Sequence, residues 1–464
     1  MVFKHRIEAK RLPGITLPVN EDSKTQLQQL LLRLFVISML VLSGNHLLAQ
    51  SSANSITVEE AIHAAIANNK NVTVAVMDEK IALSNYKQTA AVYLPQVSLS
   101  YTAMVTNNPL NAFGVKLQQS KITQNDFNPA LLNNPTATSD YMTRLDVMQP
   151  IVNLDRNWQR KAALKQTELY QFKTQRIKEY ITYQVQQAYL QLQMGYQVKV
   201  VAEEALQTVT AIHKFTGDRY AQGLLQKSDL LNVEVQIKAT ETSIAEAVSN
   251  IATASDYLSM LMNVASGTIY TVNTLKATSN VEAADSLNTS RADFKAMQTA
   301  IQSYDLMIES SKKSYLPRLN AFANYQLNDK KVFGFGANAY LAGLQLSWDI
   351  FKGNQTKNKI STQVLERNKM AAELSKQKDE SNLELQKTKR QLNDAKYKMQ
   401  QQTAAVLLAE EALRILQNRY TQGLVNTTDV LTAQTQLNQQ KLFYQQAVFT
   451  KNVTAAYLQF LTTK

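Results

Sequence analysis

The sequence predicts a mainly α-helical chain with a β-barrel part, assembled from two copies of one unit. Three observations carry this. A six-residue motif recurs 200 residues apart, proline is absent from two very long intervals, and four short segments change from helical periodicity to strict alternation. Composition agrees: 464 residues include only 12 Gly and 8 Pro, a mixture that favours helix.

In chain order, residues 1–49 read as a signal peptide with a long basic n-region. Lys4, Arg6, Lys10, Arg11 and Lys24 precede the apolar run 29–43, and Ala49 offers a small residue for cleavage. A single transmembrane anchor is the alternative. The run falls short of the ~20 apolar residues a spanning helix needs, and Arg33 interrupts it. Residues 1–49 hold six Lys/Arg and three Asp/Glu, so the remainder keeps +9 of the +12 formal charge. Cysteine is absent, which excludes a lipidated N-terminal cysteine, disulfides and thiolate metal sites.

The first unit is expected over 50–285 and the second over 286–464. Arg219-Tyr220-Ala221-Gln222-Gly223-Leu224 returns as Arg419-Tyr420-Thr421-Gln422-Gly423-Leu424, and the same offset maps Asp229 onto Asp429. Tyr93-Leu94-Pro95 returns as Tyr315-Leu316-Pro317, now 222 residues apart. The first copy therefore carries about 22 extra residues, matching the loop-like, Asn-, Pro- and Thr-rich stretch 106–138.

Strands are expected near 96–106 and 140–152, and again near 318–328 and 338–351. Val97, Leu99, Tyr101, Ala103 and Val105 alternate with mostly polar neighbours, as do Leu145 and Val147. Leu319, Ala321, Ala323, Tyr325 and Leu327 repeat the pattern, then Leu344, Leu346, Trp348 and Ile350. Strands of about ten residues with one apolar, aromatic face suit lipid outside and water inside. Four such strands cannot enclose water, because small barrels begin near ~8 strands. If these strands span a membrane, several chains must share a barrel, and three would give twelve strands; a small soluble antiparallel sheet is the alternative.

Long helices are expected over 155–222, 227–263, 354–422 and 427–463, since no proline lies in 151–316 or 318–464. Ile177, Ile181, Val185, Ala188 and Leu192 form a coiled-coil stripe. A helix over 155–221 runs to roughly 100 Å at ~1.5 Å per residue. Gly223 and Gly423 are placed for left-handed C-caps, with Asp229 and Asp429 in the next helix's first turn. Each unit thus closes as a helical hairpin with a tight turn.

These features together resemble the TolC family of outer-membrane efflux proteins over about 56–463. The matching residues are Ile56-Thr57-Val58-Glu59-Glu60-Ala61-Ile62 with Asn68-Asn69, both Tyr-Leu-Pro boundaries, Asn108-Pro109-Leu110-Asn111-Ala112-Phe113-Gly114, Trp348-Asp349-Ile350-Phe351 with Gly353, and Arg419-Tyr420 through Gly423 to Asp429-Val430-Leu431. The resemblance implies a homotrimer in outer-membrane lipid, with a twelve-stranded barrel and a helical tunnel into the periplasm of a Gram-negative cell. It further implies a periplasmic adaptor protein and an inner-membrane pump of the RND or ABC type as partners. The tips at Gly223 and Gly423 would form the gate. Asp429 matches an acid lining the family's entrance, while a further acid three residues on is here Thr432. Tyr420 matches a tyrosine that bonds an acid corresponding to Asp229. An arginine that locks the gate corresponds to Val425, so that lock would be looser here or made differently, with Arg219 and Arg419 as candidate substitutes. The alternative for Asp229 and Asp429 is plain helix capping.

Other chemistry has no foothold in the sequence. Of His5, His46, His63 and His213, two lie in the signal segment and two are far apart, so no metal-ligand spacing occurs. No phosphate-binding Gly-rich loop, nucleophile elbow or other cofactor motif is present. Basic residues are spread along helices rather than clustered with aromatics, which argues against nucleic acid. The competing reading is a periplasmic coiled-coil scaffold or adaptor without a pore.

Overall fold

The computed structural model describes residues 54–277 and 286–463. The signal segment 1–49 lies outside them. After a short N-terminal helix α1 (Val58–Asn68) and helix α2 (Lys70–Gln88), the chain enters strand β1 (Gln96–Thr106). Two small helices, α3 (Pro109–Gln118) and α4 (Pro129–Asn133), lead to β2 (Thr138–Val152). The long helix α5 (Leu154–Ala221) and its return α6 (Lys227–Met262) complete the first unit. The second unit repeats the plan with α7 (Ala292–Lys313), β3 (Arg318–Asp329), β4 (Ala337–Ser347), α8 (Gln355–Thr421) and α9 (Thr427–Thr462).

The strands form one antiparallel sheet in the order β1-β2-β3-β4. Its register keeps like with like. Leu99 faces Leu145, which faces Tyr325, which faces Tyr340; Val97, Val147, Ala323 and Ala342 form the next row. On the other face Ser100, Arg144 and Gln326 align, and Ser98, Asp146 and Asn324 beside them. A one-residue slip would exchange the faces, so the alternation in each strand specifies this pairing. The apolar face is bare: Leu99 is 72% exposed and Leu344 68%. The ladder shifts between Pro150 and Val152, where Pro150 has no N–H to donate.

The helices form one layer. In its upper half α5 lies between α2 and α7, with α8 beyond α7; in its lower half α5 lies between α6 and α9, with α8 again outermost. The principal core is where α1 meets the hairpin: Ala61 and Ala65 pack against Ile181, Val185, Leu192, Ile251 and Leu258. Gly195 lets α5 and α6 approach, since a Cβ there would sit 3.0 Å from Ile251. A second cluster near the tips joins both hairpins through Val209, Val233, Leu413, Val430 and Leu437. Among the described residues no helix is long and apolar enough to cross a membrane.

Two local expectations need correction. The stretch 106–138 contains helices: Asn108 and Asn128 accept from Asn111 N (3.2 Å) and Ala130 N (3.0 Å), and Pro109 and Pro129 occupy first-turn positions. Those Asn-Pro pairs are helix starts rather than only loop signals. β4 stops at Ser347 instead of continuing to 351. Trp348 Nε1 donates to Tyr315 O (2.8 Å), and left-handed Gly353 and Asn354 turn the chain into α8. The proline-free interval 151–316 also holds a separate 22-residue helix, α7.

Candidate functional site

The two helical tips are built by the same local chemistry. At the first, Gly223 N donates to Tyr220 O and Leu224 N to Arg219 O, both at 2.9 Å. At the second, Gly423 N donates to Tyr420 O and Leu424 N to Arg419 O, again at 2.9 Å. Gly223 (φ +73°) and Gly423 (φ +76°) take the left-handed conformation that closes a helix C-terminus at no Cβ cost. The return helices then start on capping residues. Asp229 accepts from Gln226 N (3.1 Å), and Asp429 from Asn426 N (3.2 Å). Asn426 Oδ1 completes its box by accepting from Asp429 N (2.9 Å). Both acids sit where the helix dipole favours negative charge.

The environments of the sequence-derived site residues differ. Asp429 and Thr432 are both exposed, one turn apart on α9. Asp229 is half-buried. Tyr420 is only 4% exposed; its hydroxyl lies 2.9 Å from both Thr216 Oγ1 and Thr427 Oγ1, and its ring is 5.1 Å from that of Phe215. The Tyr420–Asp229 bond implied by the resemblance is therefore corrected. The tyrosine hydroxyl is held between two threonines, while the Asp229 carboxylate turns to its own helix cap. Val425, at the position matched to a locking arginine, packs into the tip cluster instead.

Arg219 adds a further link between the hairpins. Its Nη2 donates to Thr421 O (2.8 Å), and its guanidinium lies 4.8 Å from the Phe215 ring centroid. Nη1 would stand 3.4 Å from a Cβ on Gly423. Thr216, Thr427 and Phe215 were not singled out from the sequence. A signal for them exists: at the 200-residue offset they correspond to Leu416, Lys227 and Ile415, so they are places where the two copies differ.

The family model described as outer membrane efflux protein matches residues 61–264 and 270–460. No curated protein sequence matches the chain. Among solved structures, CusC, studied for folding and transmembrane channel formation, is 15% identical, with 87% of this chain and 91% of that one covered and a TM-score of 0.74. The outer membrane protein VceC of Vibrio cholerae is 17% identical, with 88% and 97% covered and a TM-score of 0.70. The open-state MtrE outer membrane channel of Neisseria gonorrhoeae is 14% identical, with 87% and 88% covered and a TM-score of 0.71. A scaffold or adaptor without a pore finds no support among them. The family match spans both repeats, and the chain belongs to the outer membrane efflux protein family as a passive channel-tunnel of the outer membrane that extends into the periplasm.

Proposed function

We propose that three copies of this chain share one twelve-stranded barrel above a tunnel of periplasmic helices, gated at the ring of tips. The observation that carries this reading is the sheet: four strands with both edges, β1 and β4, left open beneath one continuous apolar face. Lipid tolerates no open edge, and closure by neighbouring copies removes both edges. The helical layer is unfinished in the same sense. Leu365, Leu383, Leu407 and Leu408 are exposed along α8, while Val74, Met77 and Ile81 of α2 and Val235 of α6 are exposed on the opposite flank. Joining α8 of one copy to α2 and α6 of the next buries both sets.

The tips then converge on one aperture. Three copies of Asp429 would form an anionic ring favouring cations, with Thr432 leaving one acid per chain along that stretch. Tyr420 and Arg219 hold the hairpins together, so they set the resistance to opening. A periplasmic adaptor engages the tips, and an inner-membrane pump of the RND or ABC type supplies the energy. The channel itself catalyses no reaction.

The absence of native cysteine makes the test direct. A cysteine replacing Ser100 in β1, combined with cysteines scanned along 338–344 in β4, should oxidise to a ladder ending at three chains. A ladder that ends at two chains, or disulfides confined to one chain, would overturn the shared barrel. For the gate, Asp429→Asn should lower cation preference in planar bilayers; unchanged selectivity would show that Asp429 does not face the pore.

A further inference from the structure

The junction between sheet and helices, at the opposite end of α5 from the tips, carries a strongly basic cavity. It has a volume of about 370 Å³ and lies between the starts of α5 and α8 and the end of α7. Arg156, Arg318, Lys352 and Lys359 line it, against the single carboxylate of Asp155. Arg318 is engaged with Asp155 (2.7 Å) and Lys352 with Asp349 (2.5 Å). Arg156 and Lys359 have no ion-pair or hydrogen-bond partner among the described residues, so their charge is available to a ligand.

A second feature adjoins the same space. Gln363 lines the cavity, is 6% exposed, and its Oε1 is closed off from solvent without a hydrogen-bond partner in the protein. A buried acceptor without a donor is unfavourable and is normally satisfied by something bound. An acceptor among cations suits an oxyanion that also bears an O–H. Hydrogen phosphate and hydrogen pyrophosphate have both parts at neutral pH.

The side of the layer follows from strand parity. Arg318 shares the polar face of β3 with Asn320, Asn324 and Gln326. An adjoining cavity of about 450 Å³ is lined by Arg156, Gln159 and Arg318 together with Gln96 and Asn320, which are on that same face. In the channel reading the polar face lines the lumen. We propose that this cavity is a binding site for phosphate-class oxyanions in transit through the tunnel, one site per chain. The proposal rests on the channel reading for its lumenal position, and the source of the ligand is a solute rather than a lipid headgroup.

Inorganic phosphate and pyrophosphate are the probes. Equilibrium dialysis of the detergent-purified full chain should show saturable pyrophosphate binding. The Arg156→Gln/Lys359→Gln variant should bind about tenfold more weakly, the scale expected for losing charge-assisted contacts. Both residues are exposed and unpaired, so that variant should fold normally. Sulfate, which has no O–H at neutral pH, should bind less tightly than phosphate; equal binding would overturn the role of Gln363. In planar bilayers pyrophosphate should interrupt the current more strongly from the barrel side than from the tip side. Binding without any conductance would refute the channel reading and leave the site standing. Conductance with no pyrophosphate binding, or with binding unaffected by the double substitution, would overturn the site. Phospholipid retained in the native mass spectrum and lost in the variant would overturn its assignment to a solute.

Discussion

The two helical tips share a backbone and differ in what surrounds it. Both end on a left-handed glycine, both make the same pair of 2.9 Å closing bonds, and both restart with an aspartate that accepts from the capping residue. Yet Tyr220 is 40% exposed while Tyr420 is 4% exposed. The reason lies in three substitutions between the copies. Tyr420 meets Phe215, Thr216 and Thr427, whereas the corresponding positions around Tyr220 hold Ile415, Leu416 and Lys227. Local sequence sets the turn, and packing between the hairpins decides which tyrosine holds them together. Duplication supplied two similar tips; divergence made one of them the clasp.

The comparison can be broken most forcefully at the tyrosines. Tyr420→Ala removes a buried aromatic and should cost about 3–5 kcal/mol, while Tyr220→Ala should stay within about 1 kcal/mol. Hydrogen exchange of amides in 427–437 is the readout, and similar losses of protection in both variants would erase the asymmetry. Tyr420→Phe is milder. It strands the Thr216 and Thr427 hydroxyls, for about 1–3 kcal/mol, and should raise the channel's open probability. Tyr220→Phe should change neither.

The shared part of the comparison makes the opposite prediction. Gly223→Ala and Gly423→Ala should each cost about 1–2 kcal/mol, since both impose the left-handed conformation on a residue with a Cβ. Clearly unequal penalties would mean that the turns are not equivalent. The smallest effect belongs to the arginines. Arg219→Met removes the bond to Thr421 O and the contact with Phe215, worth about 0.5–1 kcal/mol at this half-exposed position. Arg419→Met should have no measurable effect on tip protection.

How far the sequence reaches is visible in these same elements. Strand faces were legible because a period of two leaves one pairing that puts Leu99, Leu145 and Tyr325 together. Helical tips were legible because glycine after a long polar helix and an acid in the next first turn have few other uses. The partners of Tyr420 were not, because Thr216 lies 204 residues away and the contact forms only where the α8–α9 hairpin packs against α5. The residues of α3 look loop-like in sequence because Asn and Pro serve both turns and helix starts. The end of β4 was hidden because Trp348 continues the alternation in sequence while its indole bonds to Tyr315 O. The junction cavity draws Arg156, Arg318 and Lys359 from three separate elements, and no local motif announces it.

The measurement that bears most directly on the account is planar-bilayer conductance of the purified, detergent-solubilised protein, with its mass determined in the same preparation. The account predicts three chains per particle and a stable, water-filled conductance. A protein that extracts without detergent, runs as a monomer and conducts nothing would contradict it.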